Sequence, residues 1–197
     1  KIFFSVGEPS GDLHAANLIR SLQTDSKRSG GEQPKFRGLG GPRMRDAGCS
    51  LDFELTNLAV VGFAEVVPKL REFFRVADIA SDVFERDRPD AVILVDFPGF
   101  NWHIAKRAKK LGIPVFYYLP PQLWAWGAWR LRKMRATVDH VLCNLPFEPE
   151  WYAKRKMQVD YVGHPFFDEI AERRLDQKFI SKWDGWDGLQ VVVLPGS

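Results

Sequence analysis

Apolar positions along the chain fall into short continuous runs separated by stretches of helical period. The runs are Lys1–Val6, Phe36–Leu39, Ala91–Val95, Val115–Leu119, His140–Cys143 and Asp160–Val162. Between them, Leu13–Leu22, Pro68–Arg86, Trp102–Lys110 and Arg130–Thr137 carry apolar residues at three- and four-residue spacing. Strands alternating with helices predict an α/β fold with an open, mainly parallel sheet. Val92-Ile-Leu-Val95 is apolar without alternation, as a strand covered on both faces must be. In such folds ligands bind at the carboxyl ends of the strands.

The pattern changes after Asp160-Tyr-Val-Gly-His-Pro165. Residues 166–189 are charged and punctuated by Gly and Trp, which reads as a connecting helix and linker. Gln190-Val-Val-Val-Leu-Pro-Gly-Ser197 then reads as a new strand and turn. The expected organisation is a first domain at 1–165, a linker at 166–189, and the first strand of a truncated second domain at 190–197. A length of 197 residues and 45% hydrophobic content suit one globular domain with part of another. Two cysteines without metal-ligand spacing give neither a disulfide framework nor a metal site and favour a reducing compartment. No run approaches the ~18 apolar residues of a membrane span. A net charge of +3 implies no general affinity for polyanions, although the basic residues are locally clustered.

Two strand ends, then an aromatic stretch and a wide apolar helix, carry candidate chemistry. The first strand breaks into Val6-Gly-Glu-Pro-Ser-Gly-Asp12 and opens a helix. Gly7 and Gly11 permit close backbone approach, and helix N-terminal N–H groups suit an anion or a polar sugar. Ser10 or Asp12 can serve as N-cap, but capping asks for no carboxylate at Glu8. Asp96 ends the strand Ala91–Val95, where it can act as a general base toward a hydroxyl or as a turn aspartate. The next helix is expected near Asn101, too late for Asp96 to cap it. Asn101 itself can orient a sugar or cap that helix.

The aromatic stretch is Tyr117–Trp126, followed by Trp129 and the cations Arg130, Arg132, Lys133 and Arg135. Aromatics beside cations suit sugar stacking, a lipid headgroup or a single-stranded nucleic acid. A core loop with a solvated basic helix is the plainer alternative. The apolar helix is the one after Val60-Val-Gly-Phe63, whose apolar arc is wider than the ~100° stripe that packing on one sheet requires. Val61, Phe63, Val67, Phe73 and Phe74, edged by Lys69, Arg71 and Arg75, form a candidate membrane or acyl-chain patch. A helix buried between sheet and neighbours remains open. His14, His103, His140 and His164 show no metal spacing.

Taken together these residues closely resemble the lipid-A-disaccharide synthases. The resemblance is carried by Gly7-Glu-Pro-Ser-Gly-Asp12 with Leu13-His14-Ala15, by Gly40-Gly-Pro-Arg-Met44 with Gly48-Cys49, and by Leu58-Ala-Val-Val-Gly62 with Glu65-Val66. It continues in Val95-Asp96 with Pro98 and Phe100-Asn101, Pro121 with Trp124-Ala-Trp126, Pro146-Phe-Glu148, Val162-Gly-His-Pro165 and Leu194-Pro-Gly-Ser197. It implies the Rossmann-like amino-terminal half of an inverting GT-B glycosyltransferase. That enzyme class joins UDP-2,3-diacylglucosamine to 2,3-diacylglucosamine 1-phosphate and releases UDP.

By the same resemblance Asp96 is the general base for the acceptor 6-hydroxyl, while Glu8, Ser10, Gly11, Asn101, Trp124 and Trp126 bind substrate. No cofactor, metal or nucleic acid is expected. An anionic membrane surface is an expected partner, placing the enzyme in the cytoplasm, peripheral on the inner face of the inner membrane. The donor site falls in the other half, so the 197-residue piece alone is expected to be inactive. Where the family has Ser-Pro-Ser-Val, with arginine after the second Trp, this chain has Pro120-Pro-Gln-Leu123 and Gly127. The rivals are a non-catalytic peripheral lipid-binding domain, which needs neither Glu8 nor Asp96, and another GT-B enzyme such as a UDP-sugar epimerase, which needs no wide apolar helix.

Overall fold

A computed structural model describes residues 1–59 and 66–193, with the side chains at 59, 66–70 and 172 outside the described set. The chain divides into two units, Lys1–His164 and Pro165–Ser197. The strands of the first unit are β1 (Ile2–Val6), β2 (Phe36–Gly40), β3 (Ser50–Glu54), β4 (Ala91–Val95), β5 (Val115–Tyr118), β6 (His140–Cys143) and β7 (Asp160–Tyr161). They form one sheet in the order β3-β2-β1-β4-β5-β6-β7, parallel at every pairing. The helices are α1 (Pro9–Ser29), α2 (Pro42–Asp46), α3 (Leu55–Ala59), α4 (Val66–Asp87), α5 (Pro98–Lys110), α6 (Leu131–Thr137) and α7 (Glu148–Ala153).

The unbroken apolar strands have a direct cause. In β1, Phe3 and Phe4 point to opposite faces and both are fully buried. Phe3 joins a core with Phe84 of α4, Leu94 of β4 and Ile104 of α5. Phe4 joins Ile19 of α1, Ile93 and Val95 on the other side. Phe3 meets Phe84 edge to face at 4.9 Å, a geometry worth about 0.5–1.5 kcal/mol beyond area burial.

Strand order reverses between β1 and β4. Crossovers leave in opposite directions there and open a crevice beyond the carboxyl ends. Val6 pairs with Val95, so the residues following these two strands emerge side by side.

Several expected boundaries need correction. α1 starts at Pro9, with Glu8 rather than Ser10 or Asp12 at the N-cap, and the Glu8 side chain makes no cap hydrogen bond. α5 starts at Pro98, not near Asn101. β3 was not predicted: Leu51 and Phe53 alternate with Asp52 and Glu54 on a half-buried edge strand, which offers no apolar run. In the second unit, α8 (Phe166–Glu172) and α9 (Gln177–Trp183) are short helices. Asp176 caps α9 by accepting from the N–H groups of Lys178 and Phe179 at 2.9 and 3.2 Å. The strand expected from Gln190 is absent among the described residues. Val191–Val193 are exposed and irregular, and residues 194–197 of the expected strand and turn lie outside the described residues.

Candidate active site

Two carboxylates meet at the switch point. Glu8 leaves β1 and Asp96 leaves β4, and their side chains are hydrogen-bonded to one another. Burial, the Asp96 charge and the hydrogen bond to Asp96 all raise the Glu8 pKa. Burial also raises Asp96, but the Phe97 N–H, the hydrogen bond from Glu8 and the charge of His14 oppose that rise. Both carboxyls thus sit above their ordinary range, as expected when two like charges share a desolvated site.

The turn holding Asp96 is strained. Asp96 and Phe97 both adopt left-handed backbone, with φ of 45° and 46°, a conformation costing about 1–3 kcal/mol per residue away from glycine. Asn101 and Tyr117 hold it in place. Asn101 is fully buried, and its Nδ2 donates to the carbonyls of Asp96 (2.7 Å), Ser5 (3.2 Å) and Val95 (3.2 Å). Its Oδ1 accepts from Ser5 Oγ at 2.7 Å. The Tyr117 hydroxyl donates to the same Asp96 carbonyl at 2.8 Å. Phe97 completes the turn by lying against Gly7, where an added Cβ would overlap its ring.

These contacts correct several expected roles. Asn101 is the internal tie between the ends of β1 and β4, neither a substrate contact nor a helix cap. Gly11 is buried, and a Cβ there would lie 3.0 Å from Val6 and 3.5 Å from Val95, so it seats α1 on the sheet rather than lining a ligand. Gly7 likewise approaches Phe97 instead of a bound group. Asp12 accepts from the N–H groups of Gly41, Arg43 and Met44 at 3.0, 2.9 and 3.1 Å. It therefore caps α2 and locks the β1 loop to the β2 loop. Ser10 is exposed in the first turn of α1.

The aromatic loop stands after β5. Trp124 packs edge-on against Phe147 at 4.9 Å, and its buried indole N–H finds no acceptor among the described residues. Trp126 is 64% exposed. The apolar patch on α4 is only partly testable. Val61 and Phe63 lie outside the described residues, as do the side chains of Val67 and Lys69. Phe73 does not belong to it: half-buried, it packs 6.0 Å from Phe97 and 5.7 Å from Phe100, bracing the Asp96 turn. Phe74 is 49% exposed, and Arg71 and Arg75 are exposed.

Sequence reasoning gave His14 no role beside Asp96 and read Tyr117 only as the start of the aromatic stretch. His14, buried on α1, reaches Asp96 electrostatically. Its place directly after Asp12-Leu13 in the β1 loop motif was the available signal. Both cysteines are buried free thiols, pushed by desolvation to about 12 for Cys49 and about 11 for Cys143, so neither is a nucleophile. Among the described residues no three His, Cys, Asp or Glu side chains are grouped to hold a metal ion.

A parallel sheet with its strand order reversing at β1 and β4 defines a Rossmann-like α/β fold. Solved structures share the fold: UDP-GlcNAc 2-epimerase from Neisseria meningitidis aligns with a TM-score of 0.58 at 12% identity, over 94% of this chain and 51% of that one. A putative UDP-N-acetylglucosamine 2-epimerase from Listeria monocytogenes aligns at 0.53 and 11%, over 88% and 52%. The profile of the family described as Lipid-A-disaccharide synthetase matches residues 2–197, and the chain belongs to that family. The lipid-A-disaccharide synthase of Trichlorobacter lovleyi is 39% identical over all of this chain and 50% of its own length. That of Syntrophus aciditrophicus is 40% identical with the same coverage, and that of Coxiella burnetii 41% over 83% and 42%. The chain thus spans about half the length of the curated relatives it matches.

Proposed function

We propose that this chain is the acceptor-binding side of an inverting glycosyltransferase that joins UDP-2,3-diacylglucosamine to 2,3-diacylglucosamine 1-phosphate. The observation that carries the reading is the Glu8–Asp96 carboxyl pair at the switch point. Asp96 takes the proton of the acceptor 6-hydroxyl as that oxygen bonds to the anomeric carbon. The bond from that carbon to the UDP oxygen breaks, and the electron pair leaves on the diphosphate. Burial lifts the basicity of Asp96 toward working pH, where a general base is most effective. The raised pKa of Glu8 disfavours a second charge beside Asp96. In this reading Ser10, Trp124 and Trp126 supply contacts to the sugar. In the full-length protein Asp96→Asn is expected to lower turnover about 10²–10⁴-fold with the fold intact. Near-normal turnover would return Asp96 to the role of a turn residue and favour a non-catalytic lipid-binding domain.

The same reading places the enzyme on the cytoplasmic face of the inner membrane. Among the described residues no helix is long and apolar enough to cross a bilayer. Acyl chains cannot leave the bilayer cheaply, since each CH₂ moved to water costs about 0.8 kcal/mol. Val61, Phe63, Val67 and Phe74, with Lys69, Arg71 and Arg75 at the rim, are the proposed contact with anionic lipid. Phe63→Ser combined with Phe74→Ser should weaken co-sedimentation with anionic vesicles while circular dichroism stays unchanged. Binding equal to wild type would move the anchor elsewhere.

A further inference from the structure

The face of α5 and α6 gathers basic residues, of which only some meet an acid among the described residues. Two basic residues there are paired: Arg107 with Asp78 of α4 at 3.0 Å, and Lys109 with Asp139. Lys106, Arg130 and Lys133 meet no carboxylate among the described residues. They act on one another instead. Burial, then the charges of Lys133, Arg107 and Lys106, hold His103 below its ordinary pKa. Burial, then Arg130 and Lys106, do the same to Lys133. Like charges brought this close oppose folding unless a ligand repays them.

Aromatic rings, not acids, hold Arg130 and Lys133. The Arg130 guanidinium lies 5.2 Å from the Trp126 ring and 5.0 Å from the Trp129 ring, and both indoles are largely exposed. Lys133 Nζ stands 5.5 Å over Trp102, and the His103 ring meets Phe74 of α4 edge-on at 5.5 Å. Cation–π contacts fix a position without consuming N–H donors. Arg130 also acts on the Tyr117 hydroxyl, which rests on the Asp96 carbonyl, so the cluster borders the carboxyl pair.

We propose that Arg130, Lys133, Lys106 and His103, edged by Trp126 and Trp129, bind the phosphate of an amphiphile. A phosphate monoester brings a charge near −2 and three acceptor oxygens, which matches several clustered cations where a carboxylate would satisfy one. The exposed indoles and Phe74 suit the apolar part of the same molecule. A single-stranded nucleic acid fits less well, because a net charge of +3 gives no general affinity for a polyanion. The inference rests on the proposed function only in identifying the amphiphile as an acylated sugar phosphate.

The test is co-sedimentation of the full-length protein with phosphatidylcholine vesicles with and without phosphatidic acid. Wild type binds only the phosphatidic acid vesicles. Arg130→Gln combined with Lys133→Gln weakens binding about thirtyfold, the share of two cations at an anionic surface. Lys27→Gln combined with Arg28→Gln, which removes equal charge from the end of α1, changes it by less than about threefold, since screening limits distant charges. Arg130→Lys keeps the charge and most of the binding, which separates the loss from misfolding. Equal weakening by both double variants would overturn the site in favour of diffuse charge. Inorganic phosphate competing as well as the vesicles would overturn the amphiphile, and tighter capture of a single-stranded oligonucleotide would replace it. The assay reads no glycosyl transfer, so full turnover in Asp96→Asn would sink the proposed function and leave this result standing.

Discussion

Arg37, near the start of β2, and Asp139, just before β6, stand at the amino edge of the sheet, and each meets opposite charge. Arg37 Nε lies 2.8 Å from both Asp52 oxygens, and its terminal nitrogens reach Asp52 and Asp87. Asp139 accepts from Lys109 and from the Val115 N–H, and these outweigh burial to hold its pKa below the ordinary carboxylate value. At the carboxyl edge the arrangement is inverted. Glu8 faces Asp96, Lys133 faces Arg130 and Lys106, and consecutive residues take left-handed backbone. The amino edge is arranged for stability. The carboxyl edge stores unfavourable charge and strain where chemistry is proposed, as functional sites commonly do.

The largest test of that contrast is Asn101→Leu. The substitution keeps the volume but removes the Asn101 bonds to the carbonyls of Ser5 and Val95 and to the Ser5 hydroxyl, and leaves the Asp96 carbonyl to Tyr117 alone. Each buried polar group left unpaired costs about 1–3 kcal/mol, so denaturant unfolding should show a loss of about 3 kcal/mol or more. Turnover should fall as well, because the tie fixes the Asp96 backbone. A stable, active Asn101→Leu protein would mean the turn holds itself.

A smaller effect belongs to the amino edge. Arg37→Gln removes a half-exposed ion pair and should cost about 1 kcal/mol or less. Turnover should be unaltered, since Arg37 stands at the far end of the strands. Loss of turnover at unchanged stability would break the division between the two edges.

Much of this was legible in the chain, and the exceptions share a cause. β1 and β4 announce themselves because burial on both faces leaves no polar position in Ala91–Val95. Asp96 is legible as a carboxylate at the end of such a strand, and Glu8 as an acid with no capping task. Asn101 was misread because an amide before an amphipathic helix looks the same whether it faces a ligand or the carbonyls of two strands. Asp12 and Gly41 are far apart in sequence, and only the adjacency of β1 and β2 brings the acid to the other loop. Phe73 and Phe74 are neighbours with one composition, yet helical rotation sends the first toward Phe97 and leaves the second outside. The joining of Lys106 and His103 on α5 to the cations near α6 is likewise a tertiary fact.

The smallest expected effect runs in the opposite direction. Glu8→Gln should stabilise the protein, and increasingly so as pH rises. The Glu8 pKa is raised in the folded state by burial, the Asp96 charge and the hydrogen bond to Asp96. Its contribution is therefore fully present below the unfolded value of about 4.5 and is lost as pH climbs through the raised folded value. Glutamine keeps a donor for Asp96 but has no proton to lose. Melting temperatures of the two proteins should coincide near pH 4 and separate above it, reaching about 1–2 °C by pH 8 for a group partly in solvent. A gap that narrows with pH, or a variant less stable throughout, would show that Glu8 is ionised in the folded state.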